Sequence, residues 1–384
     1  MLPTMKTALV LLATTLVGKS LAGGTTPTCT NITIPVTVSA SNVVLPAATP
    51  PAFKQVSGTY NIAARYCEPS TDNASRRNTL QVLVHGITYT RNFWSGEGNP
   101  TLLSGQGGPY GGLTYSWVNF ASTEGYPTLA IDRLGNGLSD HPDPLAVLQT
   151  PLEVEVLHQI IAKARAGNLQ GPANRAFKKI AYAGHSYGSV LGNALHVKYP
   201  NDADASILTG LSSTYNTPFL IPFIGATQPA ATVNPSEWGN LPSGYVALNN
   251  QTIFEQAFYY PPQFDQGLAN FDYQTRGTAG MGEIQSALLF PPQVATNYKN
   301  PILDITGQHD AIFCLNADPL SNTKPYPTYD CGSGGSSSLL QTKSLYPNAK
   351  FSVLSPSLCG HCWQLHYQAY VYFAQAHEWL EDNI

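Results

Sequence analysis

Gly184-His185-Ser186-Tyr187-Gly188 sets a serine between glycines. It follows the apolar run Lys179-Ile180-Ala181-Tyr182-Ala183 and precedes an amphipathic stretch. Strand, serine, helix is the order of a nucleophile elbow. Glycines belong there because the turn is strained and the strand and helix backbones come close. The ordinary alternative is a serine that merely caps a helix. A nucleophilic serine needs a base, and the base needs an orienting acid. Thr306-Gly307-Gln308-His309-Asp310 follows the apolar run at 302–305, and Asp310 is its only carboxylate. A loop at the C-terminal end of a strand is where catalytic groups collect in open α/β sheets, although an Asp there can also serve a turn. His361 stands in Cys359-Gly360-His361-Cys362, after the last apolar run at 351–354. Ser186, Asp310 and His361 therefore make a candidate triad for acyl transfer. His366 and His377 fall in the terminal helical stretch and read as surface or packing residues. Asp202 and Asp204 precede their strand, at the wrong end of a sheet.

Val84-His85-Gly86 closes the run at 80–84. A backbone N–H just beyond such a strand can hold an oxyanion, and the N–H groups of Ile87 and Tyr187 are assigned that task. His85 itself reads as structural. Gly135-Asn136-Gly137 lacks the third glycine of a dinucleotide loop, and no helix opens after it. It reads as a tight turn, with Asp132 and Arg133 as polar anchors. A C-x-x-C at 359–362 could be a redox dithiol, but that needs a thioredoxin-like unit with the first cysteine opening a helix. Here it reads as a disulfide shaping the histidine loop.

The elements that must position these groups are runs of alternating type. Strands are expected at 32–40 and 55–66, the two forming an antiparallel leading pair, and at 80–84, 127–131, 179–183, 205–208, 302–305 and 351–354. Helices are expected at 151–165, 187–199 and 365–380, from apolar residues recurring at the helical period. The alternation predicts a mostly parallel sheet covered by helices. Residues 211–299 break it with a long stretch rich in Pro, Asn, Gln and aromatics, among them Phe254, Phe258 and Tyr260. That is too long for a loop and reads as a cap inserted between two strands.

The chain has 384 residues, 43% of them apolar and only 11% charged, with a net charge of −4. It has no basic run beyond Lys178-Lys179. This argues against nucleic acid or an anionic membrane surface as a partner. Lys6, the apolar stretch from Ala8 to Val17 and Ser20-Leu21-Ala22 have the form of a secretory leader over residues 1–22. Its apolar run, about a dozen residues, falls short of the roughly 20 that span a bilayer. Six cysteines and sequons at Asn31, Asn73 and Asn250 agree with export. Cys29 and Cys67 are expected to join the leading strands, and Cys314 with Cys331 would close the acid loop. Cys359 and Cys362 then remain to pair with each other; alternatively Cys314 or Cys331 bridges to the histidine loop.

In these pieces, Val84-His85-Gly86, Ile131-Asp132-Arg133-Leu134-Gly135, Gly184-His185-Ser186-Tyr187-Gly188, Gly307-x-x-Asp310 and Gly360-His361, the chain resembles the α/β-hydrolase superfamily, specifically secreted fungal and actinobacterial serine hydrolases. The resemblance spans residues 80–380 and implies an eight-stranded, mostly parallel sheet with helices on both faces. The core would run over 23–210 and 300–384, with the cap at 211–299. A Gly107-Gly108-Pro109 run departs from related peptidases, where it directly follows the oxyanion strand. The implied reaction is hydrolysis of a carboxylic ester or lactone of an apolar or aromatic small molecule, with no metal or organic cofactor. An amidase or peptidase with the same triad is the alternative, as is a non-hydrolytic cyclase or binding protein. The sequence leaves substrate and oligomeric state open.

Overall fold

The computed structural model describes residues 26–98 and 114–384. The leader and the Gly107-Gly108-Pro109 run lie outside the described residues. The main sheet has eight strands, labelled here β1 (Thr28–Val43), β2 (Phe53–Glu68), β3 (Thr79–Val84), β4 (Thr128–Ile131), β5 (Lys179–His185), β6 (Ala205–Thr209), β7 (Ile302–Ile305) and β8 (Phe351–Leu354). Their spatial order is β1-β2-β4-β3-β5-β6-β7-β8. β1 and β2 are antiparallel to each other, and β2 is antiparallel to β4; the remaining pairs are parallel. This is the mostly parallel eight-stranded α/β sheet expected from the sequence.

The burial of each strand follows from its neighbours. β3 is buried at every position, as a parallel strand covered on both faces must be. β1 alternates, burying Ile34, Val36, Val38 and Ala40 while exposing the residues between them. It is the sheet edge, where Pro35 and its missing N–H can be tolerated. The core helices are α1 (Trp117–Thr123), α2 (Thr150–Ala166), α3 (Tyr187–Lys198) and a C-terminal helix (Ala369–Asn383). The buried Gln81 of β3 accepts from Trp117 Nε1 at 2.7 Å and meets His377 Nε2 at 3.1 Å, linking the sheet to α1 and the C-terminal helix. His377 is thus a packing residue, as its helical position predicted. The C-terminal helix starts at Ala369, later than expected, so His366 lies in the turn before it.

Residues 211–299 connect β6 to β7. They form helices at Thr217–Gly225, Gln251–Phe258, Gln266–Thr275 and Met281–Leu289, two single-turn helices, and a small three-stranded sheet. The excursion is tied to the start of α2: Gly282 N–H donates to Pro144 O at 2.7 Å, and Thr150 N–H donates to Ser286 Oγ at 2.9 Å. Among the described residues no helix is long and apolar enough to cross a membrane.

Two disulfides are present, Cys29–Cys67 and Cys314–Cys331. Cys29 and Cys67 are direct register partners of β1 and β2. The expected third bond is overturned, because Cys359 and Cys362 are free and buried. The Cys362 thiol is turned instead toward Tyr89 Oη, 3.2 Å away, and His185 Nε2, 3.4 Å away. Replacing Cys29 and Cys67 together by alanine is expected to lower the unfolding free energy by about 2–4 kcal/mol, because the open chain gains loop entropy. Urea titration without reductant checks this, and an unchanged midpoint would show that strand pairing alone holds the hairpin.

Candidate active site

Ser186 leaves β5 in a left-handed conformation, with φ 54°, and α3 begins at the next residue. Such a backbone is strained for a residue with a side chain, and it lifts the serine out of the sheet. Ser186 N–H is held by Thr209 O at 2.8 Å. The surrounding glycines are required by space. A Cβ at Gly86 would stand 2.8 Å from Ser186 Cβ, and one at Gly188 would collide with Val84 O. The end of β3 and the serine are therefore in direct contact.

The structure brings Asp310 and His361 together. His361 Nδ1 donates to Asp310 Oδ2 at 2.6 Å, with both side chains fully buried. Asp310 Oδ1 accepts from Ile312 N–H at 2.8 Å and Phe313 N–H at 3.1 Å, so both carboxylate oxygens are engaged. His361 Nε2 is buried and has no hydrogen-bond partner, Ser186 included. The loops carrying the acid and the histidine touch backbone to backbone, since a Cβ at Gly307 would collide with Gly360 O. Phe258 and Phe313 rings lie 5.8 Å from the His361 ring.

His185 packs 4.8 Å from His361, and its hydrogen bonds fix its form. Thr209 Oγ1 donates to Gly184 O and accepts from Gln364 Nε2, so His185 Nδ1, 3.0 Å away, is the protonated nitrogen. Burial first, then the neighbouring His361 and His85, hold its pKa well below the ordinary value. A neutral ring therefore stands beside the candidate base. Burial also pushes the Cys359 thiol up to about 12 and raises that of Cys362. Such thiols are poor nucleophiles, which argues against the redox use of the C-x-x-C.

His85 and Arg133 are structural, but more deeply involved than the sequence suggested. His85 Nδ1 donates to Gly86 O at 2.8 Å, while Nε2 accepts Arg133 N–H at 3.0 Å. Arg133 is buried and donates to His85 O, to Glu153 Oε1 at 2.6 Å and to Glu283 Oε1. Its guanidinium lies 4.7 Å from the Tyr187 ring, and Tyr187 Oη donates to Glu153 Oε2 at 2.8 Å. Burial pushes the Glu153 carboxyl up, with Arg133 pulling the other way. Asp132 accepts from Arg91 and from Leu138 N–H, holding the turn in place. Ile87, Ser186 and Tyr187 all border one cavity of about 820 Å³, its open mouth included. Phe223, Phe258 and Leu288 of the excursion line the same space. Among the described residues no cluster of His, Cys, Asp or Glu is arranged to hold a metal. Asn31 and Asn250 are exposed and Asn73 is half-buried.

His366, read from the sequence as a surface or packing residue, is fully buried and does more than pack. Its Nε2 accepts the N–H groups of Gly360 and Tyr260, both at 3.0 Å, and Nδ1 donates to Cys362 O at 2.9 Å. It holds the histidine loop where a disulfide was expected. Burial lowers its pKa to about 4. His366→Ala should cost about 2–4 kcal/mol, because two buried N–H groups lose their acceptor. A histidine with a depressed folded pKa stabilises fully above its unfolded value near 6.5 and loses that contribution as pH falls toward 4. The stability gap between wild type and His366→Ala should therefore shrink over that window in denaturant titrations. A constant gap would contradict the neutral-acceptor role.

The model of the Alpha/beta hydrolase family matches residues 81–371. Among curated proteins none matches the chain. A thermophilic esterase from Thermogutta terrifontis is similar in structure, with 14% identity, 90% of this chain and 98% of that chain covered, and a TM-score of 0.53. A bromoperoxidase from Bacillus anthracis has 15% identity, 90% and 100% coverage and a TM-score of 0.51. An alpha/beta hydrolase fold protein from Chitinophaga pinensis has 12% identity, 89% and 97% coverage and a TM-score of 0.50. At these identities the likeness is one of fold, and the neighbours differ in chemistry. With the sequence match running from β3 into the C-terminal helix, the chain belongs to the Alpha/beta hydrolase family.

Proposed function

We propose that the protein is a secreted serine hydrolase that cleaves a carboxylic ester or lactone of an apolar or aromatic small molecule. The observation that carries this reading is the buried His361–Asp310 pair, whose Nε2 is free, on a fold that presents Ser186 to an apolar cavity. Ser186 Oγ attacks the ester carbonyl carbon as His361 Nε2 takes its proton. The N–H groups of Ile87 and Tyr187 hold the oxyanion, and Asp310 steadies the imidazolium. His361 then gives the proton to the leaving alcohol. Water, deprotonated by His361, attacks the acyl carbon and releases the acid and Ser186.

Residues 211–299 act in this reading as the cap, because Phe223, Phe258 and Leu288 reach the cavity from it. Two disulfides suit an oxidising compartment and support export, and the exposed sequons at Asn31 and Asn250 suit a glycosylated chain. The resemblance to secreted fungal-type enzymes is carried by the same motifs.

Purified protein assayed on a panel of esters, lactones and amides tests the reaction class; turnover of amides alone would move the reading to an amidase. Ser186→Ala should lose about 10⁴–10⁶ in kcat, and a fluorophosphonate should label Ser186 in the wild type. Near-full activity in the variant would falsify the assignment. Phe223→Ala should shift the ratio of kcat/KM between bulky and acetyl esters by about tenfold. An equal fall for both would deny the cap its selecting role.

A further inference from the structure

The cavity is lined mostly by apolar residues, and two of its hydroxyl-bearing side chains stand out. Thr88 and Tyr215 both line it, and both hydroxyls are buried without a hydrogen-bond partner. Folded proteins seldom leave a buried hydroxyl unpaired, and such groups call for an explanation. Each is also held firmly. Thr88 is 2% exposed and has φ 69°, a left-handed backbone that is costly for a β-branched residue. Its carbonyl is pinned by Gly277 N–H at 2.7 Å. The Tyr215 ring stacks on Phe313, 5.5 Å between centroids, in the loop that carries Asp310. Asn216, the next residue, clamps that loop: its N–H donates to Ile312 O at 2.8 Å and its Nδ2 to Ala311 O at 3.0 Å.

We propose that Thr88 and Tyr215 form a polar subsite within the cavity, and that the natural substrate is an oxygenated apolar ester or lactone whose second oxygen, hydroxyl or keto, bonds there. The reaction part rests on the serine-hydrolase reading; the binding part does not. A hydroxyl can donate to a keto oxygen, and can donate to or accept from an alcohol, so one subsite serves both groups. Burial raises the Tyr215 phenol, which stays a neutral donor across the working pH range. The apolar walls supply affinity for the hydrocarbon body, and the two hydroxyls set its register relative to Ser186. A plain hydrocarbon ester leaves them unpaired and is disfavoured, because a site built around a hydrogen bond discriminates against the analogue lacking it.

The test uses para-nitrophenyl octanoate and a series carrying a hydroxyl or keto group at successive chain carbons. In the wild type at least one oxygenated member should exceed the plain ester by about tenfold or more in kcat/KM. Tyr215→Phe should collapse that ratio toward one, and Thr88→Val should do the same if it folds. A wild type with no preference anywhere in the series overturns the proposal, as does a ratio that survives Tyr215→Phe. The hydrolase reading is judged separately by fluorophosphonate labelling of Ser186. If that reading fails, calorimetry of the wild type and Tyr215→Phe with the free hydroxy, keto and plain octanoic acids decides the subsite. Tighter binding of an oxygenated acid, lost in Tyr215→Phe, supports it; equal binding of all the acids overturns it.

Discussion

The buried Arg133 cluster is the interaction on which the rest of the site depends. One guanidinium joins four separate stretches of chain: the end of β3 through His85 O, α2 through Glu153, the 211–299 excursion through Glu283, and α3 through the Tyr187 ring. Both residues assigned to the oxyanion, Ile87 and Tyr187, adjoin groups that Arg133 holds. A buried ion cluster adds little net stability over a well-packed apolar one. Removing one member is a different matter, because it strands charge in the interior at a cost of about 3–5 kcal/mol. Here the charges fix where the strand end, the elbow and the excursion stand relative to one another.

Around that anchor the site is built by close backbone approach. Gly86 lies under Ser186, Gly188 lies against β3, and Gly307 lies against Gly360. Each contact removes a side chain's width between two segments that carry candidate site residues. Gly210, at φ 59°, does the same beneath the His361 ring. Directional bonds then set the remaining freedom: two backbone N–H groups fix Asp310, and His366 fixes the loop of His361.

What the sequence made legible is what local chemistry encodes. Strands β3 to β8 were readable as short apolar runs, and the Ser186 turn because its glycines flank it directly. The three candidate site residues were readable from their place after such runs. The partners of Arg133 were not, since Glu283 lies 150 residues away and no local pattern links the two. His366 looked helical because the apolar period runs through it, yet the chain turns there to bring its imidazole beneath Gly360. The cysteines at 359 and 362 were left to pair once the other four were matched, whereas the Cys362 thiol is turned toward Tyr89 and His185. Thr88 and Tyr215 gave no signal, because an unpaired hydroxyl is a property of the assembled cavity.

The β1–β2 hairpin couples mechanically to this centre. β2 meets β4 only over Ala64–Cys67, so most of its length is a two-stranded ribbon extending past the sheet. At its far end Val43 exchanges two hydrogen bonds with the Gln149 side chain, each 2.9 Å, and Gln149 is the residue from which α2 starts. Glu153, one turn on, grips Arg133. The ribbon is thus tied at both ends, by its ladder to β4 at the root and by an amide at its tip. A continuous run of hydrogen bonds therefore leads from the ribbon's tip, through Gln149 O and Glu153 N–H in the first turn of α2, to the Arg133 guanidinium.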